Sequence, residues 1–246
     1  MSEFYASAPI ALRDDLAEAH ARAWGRIGCP GTWWDGVQRV AIAAETRHAL
    51  ACALCHQRKE ALSPAAIGGQ HDSLGALPDA VVEVVHRVRT DPSRLSKSWF
   101  RGVIAGGVSE EQYVETVSIV AHVVAIDTMA GGLGFDLLAL PRPEPGAPSQ
   151  YRPPGAQPGG AWVPWIEPPD LGEREVGIYP AGRAAANIMK AMSLVPEEVK
   201  SFFDLVSHQY QGPLQMRDFS REYRAITHAQ IELLAARVSA LNQCLY

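Results

Sequence analysis

The sequence predicts an all-α protein, and three observations support this class. Apolar residues recur at helical spacing in most of the chain, helix-starting and helix-ending residues bound these segments, and no stretch sustains the period-2 alternation of a strand. Of the 246 residues, 47% are hydrophobic and 20% are charged, which is the composition of a folded globular chain. This length suffices for one large domain or two of about 100–120 residues.

Five helices are predicted in the first half of the chain. The first covers 12–27 and ends at the breaker formed by Gly28, Pro30 and Gly31. The second begins at a cap on Thr32, with Asp35 three residues on, and continues without a break to about residue 62, before Ser63 and Pro64. The others cover 80–88, after Pro78, then 93–104, and 110–130, the last behind a capping box of Ser109 and Gln112.

The segment 141–169 differs from the rest of the chain. It holds ten prolines, which exclude a helix or a central strand. It also carries Tyr151, Trp162 and Trp165, so we expect an extended strap whose aromatic rings pack on a domain or a neighbouring subunit; a solvated linker is the alternative. Further helices are predicted over 182–192, over 196–210, and from a cap on Thr227 to the end of the chain.

Charge and hydropathy exclude several classes of function. The formal net charge of −5 disfavours binding to nucleic acid. No apolar run reaches the roughly 18 residues that a membrane span needs, and the N-terminus has no signal-peptide pattern. We therefore expect a cytoplasmic protein without membrane partners. In that compartment, a close cysteine pair is more often catalytic, redox-active or metal-binding than a structural disulfide.

The candidate site is a stripe of five residues in the second predicted helix. Glu45, His48, Cys52, Cys55 and Lys59 are spaced 3, 4, 3 and 4 residues apart, which places them on one face of a continuous helix. A nearby His or Lys lowers the pKa of a thiol, and a second thiol can resolve an oxidised first one as a disulfide. We expect His48 to exchange a proton with Cys52 and Glu45 to orient His48. This arrangement suits peroxide reduction or thiol–disulfide exchange.

Three other interpretations of the motif remain open. Cys52, Cys55 and His56 form the C-x-x-C-H pattern of c-type haem attachment, but within a helix and without an export signal. A zinc site would need four ligands, and no second ligand pair stands at zinc-finger spacing, although His48, His56 and His71 are near in sequence. The two cysteines can also be inert residues of an apolar helix face. We favour the redox interpretation over these three, and we predict a redox-active disulfide with no bound metal or cofactor.

These features together resemble the alkylhydroperoxidase D and carboxymuconolactone decarboxylase superfamily. The resemblance rests on a C-x-x-C helix followed by the segment SEEQYVETVSIVAHVVAIDTMAGGLG. The family pattern places a Glu twelve residues before the first Cys and a His four residues after the second. Here Val40 and Lys59 occupy those two positions, so the first copy departs from the pattern.

The resemblance extends over nearly the whole chain as two copies. It divides the chain into a helical domain at 1–134, a linker strap at 135–175 and a second half at 176–246. In the second copy Glu232 lies twelve residues before Cys244, as the pattern asks, and the second cysteine would fall at position 247. Because some bacterial members carry selenocysteine in this motif, one hypothesis is that residue 247 is selenocysteine, encoded by a UGA codon read as a stop. Natural truncation is the alternative.

The resemblance implies a thiol-dependent reductase of alkyl hydroperoxides that acts in antioxidant defence and assembles as a homo-oligomer. Its partners would be a small peroxide and an external thiol reductant, and its catalytic residues would be the dithiol Cys52 and Cys55 with Glu45 and His48, or the second set of Glu232 and Cys244. Two alternatives stand beside it. One is a decarboxylase or lactone-processing enzyme of the same fold, and the other is a non-catalytic interaction protein.

Overall fold

The protein is described by a computed structural model, which covers Tyr5, residues 10–180, 184–212 and 214–242, and Cys244. Within these residues the chain is mostly helical and the prediction of an all-α class is confirmed. The start of the chain, where no signal peptide is predicted, and its last two residues, on which the hypothesis about position 247 depends, lie outside the described part. The elements are α1 (Asp14–Gly28), α2 (Gly36–His48), α3 (Ala53–Glu60), α4 (Asp79–Thr90), α5 (Lys97–Ala105), α6 (Glu110–Leu133), β1 (Ala156–Gln157), β2 (Trp165–Ile166), α7 (Asn187–Met192), α8 (Pro196–Gln209) and α9 (His228–Leu241).

The main hydrophobic core lies where α1, α2 and α4 pack around α6. The valines of α4 that repeat at helical spacing, including Val81 and Val85, face Ile119 and Val123 of α6. α6 is long and apolar enough to cross a membrane by length and composition alone, yet 44% of its most apolar window is buried inside the protein. Its apolar residues are therefore accounted for by its central position in the core.

The observed helix starts confirm the predicted caps on Ser109 and Thr227 and correct the one on Thr32. Ser109 and Gln112 cap α6 with both reciprocal hydrogen bonds, as expected. α2 begins later than predicted, because Asp35 and not Thr32 is its cap, with Gln38 as the reciprocal partner. α5 likewise begins after a cap on Ser96, and α7 begins at Asn187, so the predicted helix over 182–192 is shorter within the described residues.

The second predicted helix is not continuous, and this corrects the stripe inferred from the sequence. α2 ends at His48, a turn of 3₁₀ helix follows over Ala49–Ala51, and Cys52 takes an extended conformation with ψ of 120° before α3 begins. The segment has no Gly or Pro to end a helix, so tertiary contacts override its local helical propensity. One such contact is the Asp72 carboxylate, which accepts a hydrogen bond of 3.0 Å from the exposed backbone N–H of Ala53 at the start of α3.

The proline-rich strap runs along the helical body rather than into solvent. Its backbone N–H groups at Glu144 and Gln150 donate to the carbonyls of Gly28, the last residue of α1, and of Thr32, in the turn that follows. Further on, β1 and β2 form a short antiparallel pair, and Trp162 packs on Phe100 of α5 with ring centroids 5.8 Å apart. These contacts position the end of α1 and the start of α2, which leads into the candidate site.

The C-terminal helices differ in how they pack. α8 lies on α1 and α6, and its Leu205 is fully buried in the main core. α9 instead exposes more than half of the side chain at each of four apolar positions, namely Leu233, Leu234, Val238 and Leu241. The division of the chain into two repeats remains a prediction.

A buried histidine of α1 makes the stability of this fold depend on pH. His20 is fully buried, and its ring nitrogens bond to the Tyr5 hydroxyl at 2.7 Å and to the Gln209 side chain at 2.9 Å. Burial lowers the pKa of His20 to about 4, whereas an unfolded histidine binds a proton near pH 6.5. The unfolded state therefore binds more protons between these two values, and the free energy of unfolding decreases as the pH is lowered through this window, by up to about 3 kcal/mol.

Urea denaturation at a series of pH values from 7 to 4.5 tests this expectation. The His20→Gln variant should lose less stability over that range than the wild type. His56→Gln is the matched control because His56 is exposed. Equal pH dependence in the wild type and His20→Gln would contradict the role given to His20.

Candidate active site

The two cysteines of the C-x-x-C motif lie at the N-terminus of α3. Cys52 is the residue before the first turn and Cys55 is in that turn, so both sulfurs sit near the unpaired backbone N–H groups at the start of the helix. Both residues are thiols and both are buried, with 0% and 3% of their surface exposed. Because the helix N-terminus carries a partial positive charge, the position before its first turn favours the thiolate form of Cys52.

Two histidines from outside the predicted stripe contact the sulfurs. His71, in the loop between α3 and α4, places Nδ1 at 3.5 Å from Cys52 Sγ and 3.4 Å from Cys55 Sγ. His86, on the buried face of α4, places Nδ1 at 3.3 Å from Cys55 Sγ. The two imidazole rings lie against each other with centroids 4.3 Å apart. The site thus consists of two sulfurs and two imidazole nitrogens from α3, a loop and α4.

Each histidine is held from behind by a carboxylate. His86 Nε2 lies 2.8 Å from Glu45 Oε1, and both side chains are fully buried. His71 Nε2 lies 2.8 Å from Glu83 Oε2, which also pairs with Arg58 at 3.0 Å. In both pairs Nε2–H donates to the carboxylate, which directs Nδ1 of each ring at the sulfurs.

The electrostatics of the site favour a thiolate on Cys52 beside a charged His71. Burial alone would raise the pKa of Cys52, but hydrogen bonds from the backbone N–H of Cys55, from His71 and from the backbone N–H of Asp72 lower it below its usual value. Burial would likewise lower the pKa of His71, but its bonds to Cys55, Glu83 and Cys52 raise it to about 10.

The pKa values of His86 and Glu83 are both lowered, in contrast to that of His71. Burial is the main reason why the pKa of His86 is lowered, so its imidazole stays neutral at neutral pH. Burial would raise the pKa of Glu83, but bonds to His71, Trp99 and Arg58 lower it to about 2. The site therefore contains a charged and a neutral imidazole, each beside a sulfur.

A cavity opens next to this cluster, on the side of His71. It has a volume of about 430 Å³, and His71 and Glu83 line it together with Gln70, Ser73, Asp79 and Val82. Since both sulfurs are buried, this cavity provides a space from which a small molecule could approach them past the His71 ring.

The structure brings together only part of the residue set predicted from the sequence. Cys52, Cys55 and Glu45 are in the cluster, but Glu45 contacts His86 rather than His48. His48 lies edge-on to His86 with centroids 6.5 Å apart, and among the described residues the side chains bonded to the sulfurs are His71 and His86. The expected proton exchange between His48 and Cys52 was based on one continuous helix, and that helix is interrupted before Cys52.

The second predicted set lies elsewhere. Glu232 is near the start of α9, where it accepts a hydrogen bond of 2.6 Å from the Tyr210 hydroxyl, and Cys244 is exposed beyond the end of that helix. The two residues are thus at opposite ends of α9. Their proposed joint role stays a prediction.

Sequence reasoning missed His86 and Glu83, and it considered His71 only as a nearby histidine in a zinc site that it did not favour. His86 interrupts the run of valines in α4 with a polar residue on the buried face, and this is the one signal that pointed to it. Comparison with known proteins adds no further guide: no protein-family model, no curated protein and no solved structure matches this chain. Its function is therefore argued from the geometry of this cluster.

Proposed function

We propose that Cys52 and Cys55 form a redox-active dithiol that reduces small hydroperoxides with electrons from an external thiol. The observation that supports this most directly is the placement of both sulfurs at a helix N-terminus with an imidazole nitrogen on each. A thiolate nucleophile, a second thiol within reach and a positioned base are the groups that peroxide reduction requires.

In the first step the Cys52 thiolate attacks the O–O bond of the hydroperoxide. Cys52 Sγ receives one oxygen and becomes a sulfenic acid, and the O–O bond breaks to release an alkoxide. His71, which lies 3.5 Å from Cys52 Sγ and lines the cavity, donates its proton to the alkoxide to give an alcohol. Cys52 is thereby oxidised by two electrons and the peroxide is reduced by two.

In the second step Cys55 resolves the sulfenic acid. Neutral His86 accepts the Cys55 proton at Nδ1, while Glu45 holds the ring through Nε2. The Cys55 thiolate then attacks Cys52 Sγ, the S–O bond breaks, and the departing hydroxide takes the proton from His86 to leave as water. The disulfide is finally reduced by two equivalents of an external thiol, which become a disulfide themselves.

Stoichiometric oxidation of the reduced, metal-free chain tests this function. One equivalent of hydroperoxide should be consumed per chain and the Cys52–Cys55 disulfide should form. Trypsin then yields the peptide 48–58, which contains both cysteines of the motif and no other cysteine, so a mass lower by two hydrogens identifies the bond. The Cys29→Ser variant, altered at a cysteine in the turn after α1, is the control and should behave as the wild type. Failure of the reduced chain to consume peroxide would refute the proposal.

A further inference from the structure

The side chains of Cys52, Cys55, His71 and His86 form a compact set of metal-ligand atoms. The two sulfurs and the two histidine nitrogens all lie within 4.8 Å of one another. The three sulfur–nitrogen distances of 3.5, 3.4 and 3.3 Å match a tetrahedral site, in which Zn–S bonds of about 2.3 Å and Zn–N bonds of about 2.0–2.1 Å place sulfur and nitrogen about 3.5 Å apart. The backbone thus already holds these four groups near the corners of one coordination shell.

The hydrogen bonds on the far side of each ring leave lone pairs aimed at one point. With Nε2–H of His86 and of His71 donated to carboxylates, Nδ1 of neutral His86 presents a lone pair to the sulfurs, and Nδ1 of His71 presents one once a metal ion displaces its proton. Four electron-pair donors that converge in a buried space repel one another unless protons or a cation lie between them. A divalent cation satisfies all four donors at once.

The surroundings supply what a metal site needs beyond its ligands. Glu45 and Glu83 each complete a carboxylate–histidine pair, the arrangement that orients metal-bound imidazole and increases its basicity. Glu45 is further fixed by the backbone N–H of Leu74 at 3.1 Å, and Glu83 by the Trp99 indole at 2.8 Å. Both carboxylates are thus positioned by the protein itself.

The chemical type of the four ligands indicates which metal ion the site prefers. Two thiolates and two imidazoles in tetrahedral order favour Zn²⁺, whereas Mg²⁺ and Ca²⁺ prefer oxygen ligands. The spacing, with 15 residues between Cys55 and His71 and 14 between His71 and His86, is not that of a zinc finger, which explains why the sequence motif did not reveal it.

We propose that these four residues bind one Zn²⁺ ion when both thiols are reduced, and that zinc occupancy and the disulfide exclude each other. Zinc binding at this site does not depend on the proposed peroxide chemistry. The release of zinc by peroxide does rest on that proposed function. In that release two zinc-bound thiolates give up two electrons and form the S–S bond. The hydroperoxide takes up these electrons with two protons from solvent to become an alcohol and water, and Zn²⁺ is liberated. Zinc would thus protect the dithiol in the resting protein.

Metal titration of the reduced wild-type chain is the first test. After removal of metal with a chelator, Zn²⁺ should bind at one ion per chain in competition with a chromophoric chelator. Co²⁺ should produce the intense visible bands of a tetrahedral ion and a thiolate charge-transfer band in the near ultraviolet. A stoichiometry far below one ion, or the weak spectrum of octahedral Co²⁺, would overturn the zinc site without any substitution that could affect folding.

Variants then identify the ligands. Cys55→Ser and His86→Gln should abolish the tetrahedral Co²⁺ spectrum, and Glu45→Gln should weaken Zn²⁺ binding by about 10–100-fold because His86 loses its acceptor. Cys29→Ser and His56→Gln are the controls: one changes a cysteine outside the cluster, and the other changes the exposed histidine that adjoins Cys55 in sequence. Circular dichroism of each metal-free variant separates lost ligands from lost folding. Unchanged binding in His86→Gln would contradict the assignment.

Addition of hydroperoxide to the zinc-loaded chain tests mutual exclusion. One Zn²⁺ should be released for each disulfide formed in the peptide 48–58, and a thiol reductant should restore binding. Disulfide formation with retained zinc would overturn the exclusion. If the metal-free chain consumes no peroxide while zinc still binds at one ion per chain, the proposed function fails and the zinc site stands.

Discussion

We expect the metal-free Cys55→Ser variant to react with one equivalent of hydroperoxide and then stop. Cys52 keeps the backbone N–H donors and the His71 contact that favour its thiolate, so the first step remains possible. Without Cys55 the sulfenic acid has no second thiol in the motif to form a disulfide with, so turnover with a thiol reductant should be slower, because the external thiol must attack Cys52 Sγ directly. Mass spectrometry after trapping with dimedone should place the adduct on the peptide 48–58.

The reciprocal variant separates the roles of the two cysteines. Cys52→Ser should form neither the sulfenic acid nor a disulfide, because Cys52, at the position before the first turn of α3, is the sulfur that the backbone N–H groups of Cys55 and Asp72 contact. If Cys52→Ser forms the dimedone adduct and Cys55→Ser does not, Cys55 is the residue that attacks the peroxide. The assignment of the two steps would then be reversed.

The helical class of this protein follows from its sequence because the signals are local. Apolar residues of α4 and α6 recur at helical spacing, and the capping box of Ser109 and Gln112 marks a helix start within four residues of chain. The break at Cys52 could not be predicted in this way. It depends on Asp72, which caps α3 from a loop that the local pattern of the preceding helix does not encode.

The composition of the candidate site was predictable only where its residues adjoin in sequence. Cys52 and Cys55 are one helical turn apart, so their proximity is a property of the motif. His86 lies 31 residues beyond Cys55 and reaches it only because α4 packs beside α3. Glu45 was placed correctly near the thiols, but its partner is His86 and not His48, and the helix that was to align Glu45 with His48 and Cys52 is interrupted before Cys52.

A second buried polar cluster, which does not include the dithiol, connects α8 to the helical core through ion pairs. Arg39 of α2 forms ion pairs with Glu115 of α6 and, at 3.1 Å, with Glu198 of α8, and no more than 2% of any of these side chains is exposed. Glu198 also pairs with Arg26 at 2.8 Å and accepts a hydrogen bond from Ser118 at 2.6 Å. Burial would raise the pKa of Glu198, but Arg39 and Arg26 hold it well below its usual range.

The pKa of Glu115 shows how much this cluster depends on its single shared arginine. Burial and the nearby Glu198 carboxylate raise the pKa of Glu115 to about 6, although Arg39 and the backbone N–H of Trp33 oppose the change. Two buried carboxylates therefore share Arg39. Loss of that cation leaves Glu115 without its ionic partner and forces it to bind a proton or to stay charged at high cost.

Replacement of Arg39 by methionine should lower the free energy of unfolding by about 3–5 kcal/mol, because it leaves an uncompensated buried charge while it retains most of the side-chain volume. Arg22→Met is the matched control, since Arg22 forms an ion pair of 2.9 Å with Asp204 of the same helix α8, but with both side chains exposed. The control should cost at most about 1 kcal/mol. Urea denaturation of both variants at pH 7 measures the difference, and equal losses would show that burial does not set the contribution of Arg39 to the docking of α8.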